Sequence, residues 1–452
     1  NSTVSSLTVG HTTPVSIADG ITLSGAITVT AGSIKLGEAG TLASTVSMSR
    51  GTILDADESM TISGSLTQSG SFSTDQGWTI DVAVGKTLTY TGAAIAIEGN
   101  KLILTSSSSN GGATFNNTNP LLLNNANSYL RFDAEVTVGS VSVNVAGNSG
   151  RGLKIQQSST IGSLTVTANT ELSIYSGKSL SGAISLGAGS IKLNKTGTLA
   201  STISMSGGKL DADESLTVSG TLSHSADIEI DVASGEILTY SGSPISLGAN
   251  TVTLSGGGSL VSGGLTLNDA SSKLLLNSIT VDNVSTTSDS LGLDVDANST
   301  VSSLSVAHIT PVSIASGKTL NPAHKSGAIT VTAGSIKLAE TGTIGPNVSI
   351  SMSGGTLDAD NSLSLYGTLT QSGNITIDVA ENKNLTYYGA PISVGANTLT
   401  LSGGGRFRNG DSPSFIDLNN ASSKLLLDSI RVDGVRTSLA SLGLDVDNNS
   451  TV

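Results

Sequence analysis

Residues 183–201 read AISLGAGSIKLNKTGTLAS, and residues 202–220 read TISMSGGKLDADESLTVSG. Cut at the same turn residues, the chain continues with TLSHSADIEIDVASGEILTYSG (221–242) and SPISLGANTVTLSGGGSLVSG (243–263), so the units are 19 to 22 residues long. Short runs such as Ile27-Thr-Val29, Ile34-Lys-Leu36, Ile375-Thr-Ile377 and Leu399-Thr-Leu401 alternate apolar and polar letters. That is the period-two pattern of half-buried strands. Gly, Asn, Asp and Ser fall between the runs as turn residues. No stretch carries the periodicity of a helix of about ten residues. Strands of four or five residues with tight corners, at about 20 residues per unit, match one coil of a β-solenoid. The expected fold is all-β: a single-stranded β-solenoid of about 22 coils, which at a strand spacing of ~4.8 Å makes a rod on the order of 100 Å long.

A longer period lies over the short one. GAITVTAGSIKL occurs at 25–36 and again at 327–338, with GAISLGAGSIKL at 182–193 between them. LDADESMTISG, LDADESLTVSG and LDADNSLSLYG begin at Leu54, Leu210 and Leu357, and the IDVA segments begin at Ile80, Ile230 and Ile377. LLLNNANSYLRF, LTLNDASSKLLL and IDLNNASSKLLL begin at Leu121, Leu265 and Ile416. Three repeats follow, 1–157, 158–297 and 298–448, and residues 449–452 repeat the opening letters NSTV as the start of a fourth. Tandem sandwiches or barrels also use many short strands, but they need longer strands and bulkier inner faces.

Composition agrees with a thin, regular core. Of 452 residues, 12% are charged and 3% aromatic, with one Trp and 54 Gly. A net charge of -13, from 21 Lys and Arg against 34 Asp and Glu, supplies no basic stripe for phosphates, so neither nucleic acid nor an anionic membrane is an expected partner. No run of about 18 apolar residues offers a membrane span. The chain has no Cys, which fits export to a place where free thiols are a liability, and the absence of an initiating Met reads as a mature product or an excised piece.

The segments GANTVTLSGGG from Gly248 and GANTLTLSGGG from Gly395 resemble the coils of bacterial surface β-solenoids, the filamentous haemagglutinin-type adhesins and autotransporter passengers. The likeness is compositional and covers the whole chain. It implies a right-handed, extracellular parallel β-helix that serves scaffolding or adhesion to glycans and other cells.

The inward ladder is expected to comprise Ile27, Val29, Ile34 and Leu36, with their counterparts Ile184, Leu186, Ile191 and Leu193, and Ile329, Val331, Ile336 and Leu338. Asp294, Asp296 and Asn298, echoed by Asp445, Asp447 and Asn449, have the alternate-oxygen spacing of a calcium loop. They lack its Gly and its later Glu, and the first repeat reads RGLKIQQSST there. The acidic corners at Asp55, Asp57 and Glu58, at Asp211, Asp213 and Glu214, and at Asp358, Asp360 and Asn361 read as solvated turns. Tyr90, Tyr240 and Tyr387 share one phase and are candidates for docking a neighbouring rod or a glycan. The stretch 106–120 and the insertion 321–325 mark places where a loop leaves the coil.

Some right-handed β-helix proteins degrade polysaccharides, which is the alternative enzymatic reading, but no catalytic role is expected here, because the acidic corners repeat instead of converging, and His11, His224, His308 and His324 are scattered. Thr-x-Thr pairs such as Thr28/Thr30 do not recur on successive coils as an ice-binding plane demands. Neither end carries a recognisable cap, so the terminal strands are expected to seek a partner. The chain is therefore expected to extend end to end, as a homopolymeric fibre or as part of a longer repeat chain, outside the cell or on its surface.

Overall fold

The computed structural model describes residues 1–68, 77–107, 112–315, 318–321, 327–338, 343–345, 348–410 and 416–452. Among them there is no helix, and the strands pair in parallel with strands about one turn away in sequence. Most turns contribute three short strands. Ser33–Leu36, Thr41–Leu42 and Thr45–Met48 are followed by Ile53–Ala56, Met60–Ile62 and Leu66–Gln68, each aligned on its predecessor. The fold is a β-solenoid.

Two compact units are present, Asn1–His224 and Ser225–Val452. Together they hold about 20 turns, stacked about 21 residues apart, rather than 22 coils of 20. Unequal corners account for the difference. Gly152 aligns with Glu171 only 19 residues later, whereas Lys101 aligns with Tyr129 after 28.

Alternation along each strand turns one set of side chains inward, and alignment of the turns stacks that set into columns. In the first unit Ile34, Leu54, Ile80, Leu104, Phe132, Ile155 and Ile174 occupy successive turns of one column. The ladder residues lie there: Ile27, Val29, Ile34 and Leu36 are at most 2% exposed, as are Ile184, Leu186, Ile191 and Leu193. In the second unit Ile329, Val331, Ile336 and Leu338 are at most 4% exposed. Burying a branched aliphatic side chain contributes about 1.5–3 kcal/mol, and repetition on every turn compensates for the scarcity of aromatics.

Corners need close backbone approach. Gly25 (φ 127°) and Gly182 (φ 117°) open the GAI segments, and a Cβ on either would stand 1.7 Å from the carbonyl oxygen of Val4 or Ile161 in the preceding turn. A glycine is required at each. The irregular stretch expected at 106–120 is partly regular: Ala113–Asn117 is a strand aligned between Thr87–Tyr90 and Val136–Val138. Residues 108–111 and 322–325, with His324, lie outside the described residues. Among the described residues, no helix is long and apolar enough to cross a membrane.

Candidate functional site

The three tyrosines expected to face a neighbour face inward. Tyr90, Tyr240 and Tyr387 are 0%, 5% and 1% exposed. In Leu-Thr-Tyr the alternation that buries Leu88 and Leu385 also buries the ring two residues later. The Tyr90 hydroxyl donates to the Ala93 carbonyl (2.6 Å) and accepts from the Leu66 amide (3.1 Å). Tyr387 repeats the arrangement with Ala390 (2.7 Å) and Leu369 (3.0 Å). Burial pushes both hydroxyls above the usual tyrosine range. These rings brace corners, and they present no surface for lateral contact.

An aromatic pair escaped the sequence reading. Tyr366 and Tyr388, on adjacent turns of the second unit, stack with centroids 4.3 Å apart and planes 4° apart, and Tyr366 is 40% exposed. The other copies carry Ser63 and Thr91, or Ser219 and Ser241, at these corners, so the departure of one copy from its siblings was the available signal.

The calcium spacing also resolves differently. Asp294 belongs to the strand Gly292–Val295 and pairs with Lys273 of the preceding turn (2.7 Å), while Asp296 and Asn298 lie in the bend that follows. Asp445 sits in Gly443–Val446 and pairs with Lys424 (2.9 Å), with Asp447 and Asn449 exposed beyond it. A strand sends alternate side chains outward in a row instead of wrapping oxygens around a centre. Among the described residues no group of three or more His, Asp or Glu could hold a metal ion.

The acidic corners are tied by lysines to the turns on either side of them. Lys35 reaches Asp55 (3.2 Å) and Asp57 (3.8 Å), Lys192 reaches Asp213 (2.6 Å), and Lys337 reaches Asp360 (2.9 Å) and Asp358 (3.8 Å). Glu58 pairs with Lys86 at 2.5 Å, and Asn361 accepts from Lys383 at 3.0 Å. Hydrogen bonds to these carboxylates raise the pKa of Lys35, Lys192 and Lys337. The pairs lie at the surface, where each is worth little, but their repetition aligns the outward lysine of SIKL with the acidic corner of the next turn.

One place on the first unit breaks this charge-balanced pattern. The strands Tyr129–Phe132 and Gly152–Ile155 occupy the positions held elsewhere by Lys273–Leu276 and Gly292–Val295, where Lys273 meets Asp294. Here Tyr129 stands for the lysine and Lys154 for the aspartate. Around the Tyr129 ring centroid lie Lys154 Nζ at 5.0 Å, Lys101 Nζ at 5.6 Å and Arg151 Cζ at 6.0 Å. Arg131, aligned with Lys154, pairs with Asp133. Beside this cluster a polar groove of about 270 Å³ is lined by residues of four successive turns, among them Ser149, Asn169, Thr170, Glu171, Lys192 and Asp211.

The chain matches no family model, no curated protein and no solved structure.

Proposed function

We propose that the chain is a structural segment of an extracellular or cell-surface filament, a stiff solenoid that extends by adding repeat upon repeat and performs no catalysis. The observation that carries this reading is the junction between the second and third sequence repeats, which lies within the second unit. There Leu293 aligns with Val312 and Val295 with Ile314, and both Leu293 and Val295 are 0% exposed. The same residues recur as Leu444 and Val446, 44% and 52% exposed. Thr-Pro-Val-Ser-Ile at 310–314, which covers the internal junction, is spelled identically at 13–17. The head of a repeat is therefore complementary to its tail, through Val15 in the place of Val312 and Ile17 in the place of Ile314. Contact of this kind is heterologous and does not close on itself, so it generates a line. It serves equally whether the next repeat belongs to the same polypeptide or to a second one.

Lack of cysteine and the dense Ser and Thr surface support placement outside the cell. Sedimentation and electron microscopy of the 452-residue chain test the reading. Thin filaments or a ladder of end-to-end oligomers are expected, and Leu444→Asp with Val446→Asp is expected to leave single particles. A chain that stays monomeric at 100 µM would overturn the proposal.

A further inference from the structure

The stacked pair Tyr366 and Tyr388 is not required by the winding of the chain, since the other copies close the same corner with Ser63 and Thr91, or with Ser219 and Ser241. Leu365 aligns with Ile344 on the turn before and with Tyr387 on the turn after, and Tyr387 aligns with Asn409. The residues that follow these four, Gly345, Tyr366, Tyr388 and Gly410, therefore form one column along the corner. Tyr388 is the inner ring of the stack. One of its faces lies against Tyr366, and on its other side a Cβ at Gly410 would stand 2.1 Å from Cδ1, so the ring packs against the backbone of the next turn. Tyr366 is the outer ring. Tyr388 covers one side of it, and the other side borders Gly345, which brings no side chain where the other copies carry Ala43 and Ala200. Tyr366 is 40% exposed.

The setting of this ring is polar and uncharged. Ser364, two residues before it, is half-buried and aligned between Thr343 and Thr386, and Thr368, two residues after it, is exposed. No Asp, Glu, Lys or Arg occurs in 343–349, 364–370 or 386–393, the three segments that build the corner. An ionic ligand finds no counter-charge in them. An apolar side chain of a partner protein would find one ring rimmed by hydroxyls, whereas the buried centre of a protein interface is apolar. A saturated sugar ring satisfies both parts. Its C–H face covers the aromatic face, whose electron-rich centre attracts the C–H edges, and its hydroxyls reach outward to Ser and Thr, which both donate and accept.

We infer that Tyr366 is a stacking platform for a neutral polysaccharide of β-linked glucose units, which lays one pyranose ring on the tyrosine and hydrogen-bonds to Ser364 and Thr368. The flatness of the platform selects the sugar. In a β-linked glucose unit every ring substituent is equatorial, so each face presents only C–H bonds and lies flush on an aromatic ring. Tyr388 holds the platform in place from beneath. The site lies within the second unit and does not depend on end-to-end assembly.

Calorimetric titration of the 452-residue chain with cellohexaose and with oligogalacturonate tests the inference. Cellohexaose is expected to bind with an affinity that does not change with salt, and oligogalacturonate is expected not to bind. Tyr366→Ser, which restores the residue of the other copies, is expected to weaken binding at least about 10-fold, whereas Tyr366→Trp is expected to retain it. Tyr366→Leu keeps apolar cover over the corner but removes the flat ring, and it is expected to lose binding at an unchanged melting temperature. No binding of cellohexaose, or equal binding by Tyr366→Leu, overturns the site. Equal binding of oligogalacturonate overturns the choice of a neutral ligand. Self-association that disappears in Tyr366→Ser, without cellohexaose binding, would assign the ring to a second copy and sink the glycan.

Discussion

Asp81 sits on the outward side of its strand in alignment with Asp55, which is itself aligned with Lys35. Burial first, and then the charges of Asp55 and Asp57, push its carboxyl above the ordinary range, with Lys35 opposing. One oxygen, Oδ1, is buried without a hydrogen-bond partner among the described residues. Because the folded pKa lies above the unfolded one, the stability linked to this group is complete below the unfolded value and is lost as pH rises through the folded value. Asp81→Asn should therefore stabilise the protein at pH 7, by about 0.5 kcal/mol for a like-charge pair across adjacent strands. Thermal melting at pH 7 and pH 3 checks this, and the gain should vanish at pH 3. Tyr387→Phe should act oppositely: it strips a hydroxyl that both donates and accepts inside a corner, and the loss should be about 1–3 kcal/mol by denaturant melting. At this scale the sequence was read one letter out of register. Tyr387 drew attention through its repetition, while Tyr388, at the corner beside it, is the half-buried residue that stacks on the exposed Tyr366.

Individual strands are legible because the alternation that defines them is local. Ile-Thr-Val, Ile-Lys-Leu and Leu-Thr-Leu each announce an inner and an outer side without help from the rest of the chain. Val331 is 0% exposed and stacked between Val306 and Met352, as its letter in GAITV implies. Val331→Asp should place an unpaired carboxylate in that column and destabilise its turn by on the order of 3–5 kcal/mol. Hydrogen exchange should show the loss concentrated in the flanking turns, and Val331→Thr, closer in shape, should be milder. Pairing between elements is harder to read. Lys101, Tyr129 and Lys154 meet although 28 and then 25 letters separate them, because the intervening corners differ in length. A fixed period of 20 would have set them on different sides. Asp294, Asp296 and Asn298 looked like half of a calcium loop because they are neighbours in sequence, whereas Lys273, which neutralises Asp294, arrives from the turn before.

On the scale of the whole molecule, each turn depends mainly on its immediate neighbours, as in other stacked repeats. Residues 183–201 make up one such layer. Ala183 aligns with Thr202, Ile184 with Ile203 and Leu186 with Met205. Excising 183–201 should therefore bring Leu164 onto Ile203 and Val166 onto Met205 with every inner side chain still facing inward. Circular dichroism should show an unchanged β spectrum, with a melting temperature within several degrees of the parent. Removing 183–192 instead should break the phase and abolish cooperative melting of the first unit. Architecture at this level was open to inspection in the sequence, since a repeated word at a repeated interval needs no knowledge of contacts. The division at His224 and Ser225, inside the second repeat, was not, because no change of composition marks it.

The unequal turns have a mechanical corollary. Held at its two ends in an optical trap, the unit Asn1–His224 should yield layer by layer, each rupture releasing the slack of one winding. At roughly 3.4 Å per extended residue, the winding that separates Gly152 from Glu171 should lengthen the tether by about 65 Å, and the one that separates Lys101 from Tyr129 by about 95 Å. The order of short and long extensions in a pulling trace would then spell out the sequence of layers, like a barcode written in contour length.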